Sequence, residues 1–377
     1  MEVFLRIRNK ERPRYQPIKP SMMKGIISKV MDNKNEQRIL SFDFLRVIAS
    51  FAVIVLHVSA KYWYYTDVNG FEWQVLNFFD SSVRWCVPIF LMISGSLFLS
   101  REIPLKRIRT KYVIRLAVSF FVWSIIYAVV DGTIVTRPTV LITGHYHMSF
   151  ILFMIVIYFC VPLLRYLSIS KTQTRYFLLF SFVFAFLIPE IIMLLKDFGS
   201  ESVIKWTDGF NENYQKMNAQ NLLGYIFYFV LGHYIHNMEI QKRQKITIYI
   251  LGIIGLIFTI VIDLIVAIKT QEACGHYYSY CSVNVLFISM AIFIWFKNVT
   301  FAEGKVSQFT QRLAKYSYGV YLVHPLVMEQ LDLRFGINSL SFNPIFSVII
   351  VSFIVFCISY SISAILNHIP IINHYIV

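Results

Sequence analysis

The chain has 377 residues, of which 57% are hydrophobic and 15% are charged, and its formal net charge is +14. Soluble domains usually have a charged fraction of about 25%, so this composition excludes an ordinary soluble protein. The apolar residues come in blocks of about 20, the length with which a helix crosses the hydrocarbon core of a bilayer. The composition therefore predicts an all-α fold, a polytopic bundle of transmembrane helices.

The predicted elements begin with a basic segment over residues 1–37, which has no long apolar block and no visible cleavable signal peptide. A membrane domain over 38–366 follows, and a short tail over 367–377 ends the chain. We predict ten spans, at roughly 40–60, 80–99, 112–131, 149–168, 175–196, 220–237, 246–268, 282–297, 314–331 and 344–366. The spans near 80, 220, 282 and 314 are shorter or more polar than the others.

The basic residues are sorted to one side of the predicted membrane. With the N-terminus in the cytoplasm, 26 of the 35 Lys and Arg residues fall in inner segments, as the positive-inside rule requires. An even number of spans then puts both termini in the cytoplasm. This asymmetry, with attraction of the 1–37 segment to anionic membrane lipid, accounts for the net charge without a nucleic-acid partner.

The first span, "FDFLRVIASFAVIVLHVS", holds the ionisable side chains of Asp43, Arg46 and His57. Such groups are costly within a membrane and are often functional. Arg46 and His57 lie on one helix face about 16 Å apart along the axis, and Asp43 can pair with Arg46. One interpretation is a structural Asp–Arg pair with an interfacial His. The other is an anion-binding group near the cytoplasmic end and a proton-transfer group near the outer end.

Four polar side chains of later spans are candidates for a substrate site or cavity. They are Arg84, His147, Glu190 and His324. Pro88 frees the Arg84 carbonyl from its helical hydrogen bond, and Pro325 follows His324 directly. Irregular backbone in a membrane is tolerated mainly where it lines a cavity or is buried in protein. The alternatives are an interfacial position for His147 and a structural pairing of Glu190 with Arg84.

Two predicted outer loops allow two interpretations each. Cys274 and Cys281 share one loop, in which we predict a disulfide, with two free thiols as the alternative. The loop 196–220 carries Trp206, Phe210 and Tyr214, which suit stacking on sugar rings and equally suit an interfacial aromatic belt. The sequence contains no Walker, Rossmann or zinc motif.

The first span resembles the first helix of the acyltransferase 3 family of membrane O-acyltransferases, in which an Asp, an Arg and a His recur at this spacing. Later segments resemble further family segments in the same order: "SSVRWCVPIFLMISGSLFL" (81–99), "GHYHMSFILFMIVIYFCVPLL" (144–164), "LGYIFYFVLGHYI" (223–235) and "YSYGVYLVHPLV" (316–327). The resemblance covers residues 38–366 and is nearest to the bacterial surface-polysaccharide and exopolysaccharide branch. Ser149 departs from it, because that branch usually has Trp there.

The resemblance implies an O-acyltransferase of the bacterial inner membrane that moves an acyl group, usually acetyl from acetyl-CoA, to a carbohydrate hydroxyl. It implies His57 as base or acyl carrier, with Asp43 and Arg46 beside it. A basic cytoplasmic mouth would bind the CoA phosphates by charge-assisted hydrogen bonds. The candidates are Arg46 of the first span and Lys106, Arg109, Lys111 and Arg115 of the first cytoplasmic loop, where the family often has Arg-x-x-Arg and this sequence has no clean copy. The positive-inside rule alone also explains most of this cluster.

The rival function is a transporter or flippase for a lipid-linked glycan, since buried charges and a basic mouth serve transport as well. Against it stand the Arg–His spacing and the lack of paired repeats with broken helices. The expected partners are acyl-CoA, a carbohydrate acceptor and membrane lipid, with no metal and no nucleic acid. The sequence does not fix the glycan, its hydroxyl, the choice between direct transfer and an acyl-His intermediate, or the oligomeric state.

Overall fold

The computed structural model describes residues 39–377, so the basic segment predicted over 1–37 lies outside it. Within these residues the fold is all-helical and has no strand, which confirms the predicted fold class. The helices are α1 (Leu40–Trp63), α2 (Phe71–Val83), α3 (Cys86–Phe98), α4 (Ile114–Val130), α5 (Ser149–Ile169), α6 (Lys171–Phe182), α7 (Ile188–Phe198), α8 (Glu201–Lys216), α9 (Ala219–Asn237), α10 (Lys242–Thr270), α11 (Val283–Asn298), α12 (Lys305–Phe335), α13 (Pro344–Asn367) and α14 (Pro370–Tyr375).

Short helical pieces complete several of these helices. A turn at Leu105–Arg107 and a π-helix at Ile108–Val113 lead into α4, and a second π-helix at Val183–Leu187 joins α6 to α7. A 3₁₀ turn at Tyr146–Met148 precedes α5, and another at His276–Tyr278 precedes α11. π-Turns inside helices often mark functional sites, and the first of these lies in the basic segment between α3 and α4.

Eight helical stretches of the described chain are long and apolar enough to cross a membrane. They are Leu40–Trp63, Phe71–Phe98, Leu105–Val130, Tyr146–Ile169, Lys171–Phe198, Lys242–Thr270, His276–Asn298 and Pro344–Asn367. The two other predicted spans, 220–237 and 314–331, coincide with α9 and α12. Both helices are long enough, but polar side chains lower their hydropathy. Many of their residues are packed against other helices, so they present little surface that must match lipid.

The tightest helix crossing in the interior joins α3 to α9. A methyl group added at Gly95 would lie 1.7 Å from the carbonyl oxygen of Phe229, and one at Gly232 would lie 2.1 Å from that of Met92. Backbone therefore meets backbone at both points, as small residues allow in membrane helices.

Contacts between helix ends distinguish two ends of the bundle. One end holds the start of α1 and the segment 99–113, and we call it the basic end. There Lys245 donates to Asn298, and Lys297 donates to the Ile235 carbonyl. Lys61 pairs with Asp332 at 2.5 Å near the finish of α1; we call this the histidine end. Arg46 and His57 lie toward opposite ends of α1.

Two stretches predicted as irregular are helical. Most of the loop 196–220 is α8, in which Tyr214 is buried and donates to the Phe184 carbonyl, whereas Trp206 and Phe210 are exposed. The alternation of polar and apolar residues there has helical periodicity, which a reading based on polarity alone overlooks. The predicted tail 367–377 includes α14, and the Ile376 carbonyl accepts hydrogen bonds from Ser119 and Trp123 of α4.

Cys274 and Cys281 are separate thiols. The Cys281 sulfur lies 3.7 Å from the Gln220 carbonyl at the start of α9. Cys281 is buried, and its side chain faces α9. The structure therefore has two free thiols in this loop, and the predicted disulfide is wrong.

Candidate active site

His57 is surrounded by ring systems from two other parts of the chain. Its ring centroid lies 5.1 Å from that of His324 on α12 and 5.4 Å from that of Tyr146 in the 3₁₀ turn before α5. The ring of His147 lies 5.7 Å from that of His324. The structure thus brings together three of the histidines selected from the sequence, although they are far apart along the chain.

His324 is held in one tautomer by the helix that carries it. Its Nδ1 lies 3.1 Å from the Val320 carbonyl oxygen, which can only accept. We therefore assign the ring hydrogen to Nδ1 and the lone pair to Nε2. That Nε2 atom is buried and has no hydrogen-bond partner among residues 39–377. His324 thus offers an unused acceptor next to His57.

Pro325 interrupts α12 directly after His324, and the side chain of Tyr127 repairs the break. The Tyr127 hydroxyl donates to the Leu322 carbonyl at 2.8 Å and accepts from the Leu326 amide at 3.2 Å. Buried backbone groups need such partners. The sequence predicted irregular backbone here from Pro325, but it gave no sign that α4 supplies the missing contacts.

His147 is fixed through its backbone and through a neighbouring histidine. Its carbonyl oxygen accepts a hydrogen bond of 2.5 Å from the Tyr321 hydroxyl. Its Nδ1 lies 3.0 Å from the Nδ1 of His145, and its Nε2 is buried with no partner in the described chain. Gly144 starts this turn with a φ of 70°, a value that favours glycine.

His145 and Glu329 are site residues that the sequence analysis missed. The Nε2 of His145 lies 3.4 Å from a carboxylate oxygen of Glu329 on α12, and its ring stacks on Tyr127 with centroids 4.2 Å apart. The one available signal was the repetition of histidine in "GHYHM". Glu329 is 184 positions further along the chain, so only the fold reveals that contact.

Arg84 lies at the junction of α2 and α3, where Pro88 was expected to disturb the helix, and α2 indeed ends at Val83. The guanidinium pairs with Asp80, one turn earlier, and covers the Tyr278 ring at 4.0 Å. Arg84 is also within electrostatic range of His57. The carboxylate partner of Arg84 is thus Asp80, which the sequence analysis did not consider.

Glu190 is nearly buried in α7, where its carboxylate lies 3.4 Å from the Val283 amide at the start of α11. An anion at a helix N-terminus is favoured by the helix dipole. This contact of Glu190 therefore has a structural role, at the start of α11.

At the basic end, Arg46 lies 3.7 Å from the buried carboxylate of Asp43, and its own side chain is 30% exposed. The side chains of Lys106, Arg109 and Lys111 are exposed on the helical turns before α4. Arg115 is less free, because it donates to the Val377 carbonyl and lies 5.6 Å from the Tyr318 ring. Cations at this end are thus available both inside the bundle and on its surface.

A line of three rings on one face of α12 extends from Arg115 to the histidine cluster. The centroids of Tyr318 and Tyr321 are 6.4 Å apart, and those of Tyr321 and His324 are 6.3 Å apart. Tyr318, Tyr321 and Tyr158 are half-buried. No group of three or more His, Cys, Asp or Glu residues within 39–377 is arranged to hold a metal ion.

Comparison with known proteins gives one match. Residues 39–364 match the family model Acyl_transf_3, described as an acyltransferase domain. The match covers nearly all of the described chain, including every helix from α1 to α12. No curated protein and no solved structure matches the chain significantly.

Proposed function

Because the chain belongs to the acyltransferase 3 family, we propose that it is an integral-membrane O-acyltransferase of a bacterial inner membrane. The donor is acyl-CoA, most simply acetyl-CoA, which binds at the basic end from the cytoplasm. The acceptor is a hydroxyl group of a cell-surface or lipid-linked carbohydrate, which approaches from the histidine end.

The observation that carries this proposal is the distribution of chemistry along α1. Arg46 lies toward the basic end, where residues 106–111 carry exposed cations, and His57 contacts the rings of His324 and Tyr146 toward the other end. The tyrosine face of α12 runs between them. A substrate with a polyanionic head and a reactive thioester tip, such as acyl-CoA, fits this polarity.

Donor binding would depend on the basic end. The pyrophosphate and ribose phosphate of CoA would accept charge-assisted hydrogen bonds from Arg46, Lys106, Arg109 and Lys111. The Asp43 carboxylate, 3.7 Å from Arg46, holds the guanidinium in place. Arg115 has fewer donors left for a phosphate, because its guanidinium donates to the Val377 carbonyl and lies 5.6 Å from the Tyr318 ring.

The chemical step would depend on His57. A sugar hydroxyl is a poor nucleophile at neutral pH and needs a base as its oxygen attacks the thioester carbon, a task that neutral imidazole suits. His57 has part of its surface open and makes no hydrogen bond with a protein group that the structure describes. It therefore serves as base, or as acyl carrier if the reaction has two steps.

The test is the transfer of labelled acetyl from acetyl-CoA to glycan in membranes that contain the wild type or His57→Ala. General-base assistance contributes about 10²- to 10⁴-fold in rate, so the variant should lose at least that factor while still inserting and binding acyl-CoA. His368→Ala, an exposed histidine after α13, is the matched control. Near-normal turnover of His57→Ala, or no transfer by the wild type, would refute the proposal and favour a glycan transporter.

A further inference from the structure

Next to His57, two histidines and a glutamate form a chain of contacts for which the proposed function gives no role. His147 and His145 face each other through Nδ1 atoms 3.0 Å apart. The other nitrogen of His145 lies 3.4 Å from Glu329, whose side chain is 19% exposed. The chain of contacts therefore begins inside the bundle and ends at a carboxylate that water can reach.

The carboxylate fixes the positions of the ring hydrogens. The Glu329 carboxylate, 3.4 Å from His145 Nε2, favours a hydrogen on that nitrogen, so we assign His145 Nδ1 as the acceptor of His147 Nδ1–H. His147 Nε2 then keeps its lone pair, and this buried atom has no hydrogen-bond partner among the described residues. A histidine oriented by a carboxylate is a stronger base, because the negative charge stabilises the imidazolium that forms.

This inference rests on the proposed function in its two-step form, in which His57 carries the acyl group. Only that form requires a second base. When His57 carries the acyl group, its attacking nitrogen is bonded to the acyl carbon and can no longer take a proton. The acceptor hydroxyl then needs another base. His324 is adjacent, but its Nδ1 meets the uncharged carbonyl of Val320. His147, supported by His145 and Glu329, is better suited to hold a proton.

We propose that His57 carries the acyl group and that His147, positioned by His145 and Glu329, takes the proton of the acceptor hydroxyl. In the first half-reaction a His57 nitrogen bonds to the thioester carbon, and the C–S bond breaks with its electron pair on sulfur. The CoA thiolate takes a proton from water at the basic end. In the second, the hydroxyl oxygen bonds to the acyl carbon, and the C–N electron pair returns to His57. The hydroxyl proton passes to His147 Nε2 and then to water at the histidine end.

Several titratable groups face this relay and take part in its pH dependence. They are Tyr127 and Asp131 from α4 and its end, Tyr321 and His324 from α12, Tyr146 from the same turn and His57 from α1. Replacing Glu329 by Gln leaves these groups in place and removes one negative charge. The imidazolium of His147 loses stabilisation, so the acid limb of the rate profile should move to lower pH while the plateau rate falls.

The experiment measures three quantities in membranes supplied with labelled acetyl-CoA: first-turnover CoA release, label bound to the protein and label in the membrane's own glycan. Glu329→Gln and His145→Gln should release CoA in the first turnover as the wild type does, retain label on the protein, and transfer it to glycan about 10²-fold more slowly. Glu329→Asp should recover part of the rate. Glu212→Gln, an exposed acid of α8 paired with Lys216, is the control and should change none of these quantities.

The relay is wrong if Glu329→Gln and His145→Gln transfer label at the wild-type rate with an unshifted pH profile. It is also wrong if both variants lose CoA release together with transfer, because the first half-reaction does not need the relay. A wild type that transfers no label to glycan has a different meaning, since it overturns the proposed function itself and the inference with it.

Discussion

Arg46 is the residue whose replacement should separate donor binding from chemistry. Its guanidinium lies at the basic end, with the buried Asp43 carboxylate 3.7 Å away, and does not reach the histidine cluster. Arg46→Ala should weaken acyl-CoA binding by roughly 10-fold or more, because a charge-assisted hydrogen bond contributes about 1.5–3 kcal/mol. Arg46→Lys should recover only part of the affinity, since an ammonium lacks the planar fork of guanidinium.

The measurement is equilibrium binding of acyl-CoA to the purified protein in detergent, alongside the rate at saturating donor. Arg312→Ala is a suitable control, because Arg312 is an exposed cation on the first half of α12. Equal affinities for the wild type and Arg46→Ala would show that Arg46 is not a donor contact.

The histidine cluster shows how far single residues could be predicted from the sequence. His57, His147 and His324 stood out because ionisable groups are rare within spans, and the structure places the rings of His57 and His147 each against that of His324. Glu329 and His145 did not stand out, because their significance comes from a contact between α12 and the turn before α5. Sequence spacing can place residues on one helix face, but it cannot say which helices face each other.

The α3–α9 crossing should be the element contact least tolerant of change. Gly232→Ala would place a methyl group 2.1 Å from the Met92 carbonyl oxygen, so the two backbones would have to separate. Overpacking of this kind typically costs about 1–3 kcal/mol, and the melting temperature in detergent should fall.

Gly209 in α8 provides the matched control. An added methyl group there meets no atom within 4 Å, and alanine is about 1 kcal/mol better than glycine inside a helix. Gly209→Ala should therefore leave the melting temperature unchanged or raise it. Equal melting temperatures for Gly232→Ala and the wild type would contradict the close crossing.

Helices with long apolar stretches were predicted well from the sequence, and helices with short apolar stretches were predicted poorly. Each of the ten predicted spans lies in a helical stretch, although the spans 80–99 and 175–196 each include parts of two helices, and α9 and α12 are too polar to qualify as spans by composition. Both helices are packed against neighbouring helices, and the hydropathy of the sequence does not reveal this packing. α8 was taken for a loop because its polar face dominates its composition, although Tyr214 and Thr207 are buried.

For the whole molecule, the sorting of Lys and Arg predicts which end faces the cytoplasm. Reporter fusions after Gln215 and after Gln244 should report opposite sides of the membrane, with the second in the cytoplasm. Reporters that give the same side at both positions would contradict the predicted topology.

The measurement that tests the central claim most directly is acetyl transfer in sealed membrane vesicles of known orientation. Labelled acetyl-CoA, which cannot cross a bilayer, is added outside. In inside-out vesicles the basic end faces the added donor, so label should enter glycan without permeabilisation, and His57→Ala should abolish the transfer. Right-side-out vesicles should transfer label only after permeabilisation. Transfer that is independent of vesicle orientation, or that persists in His57→Ala, would contradict an active site with the donor at the basic end and the acceptor at the histidine end.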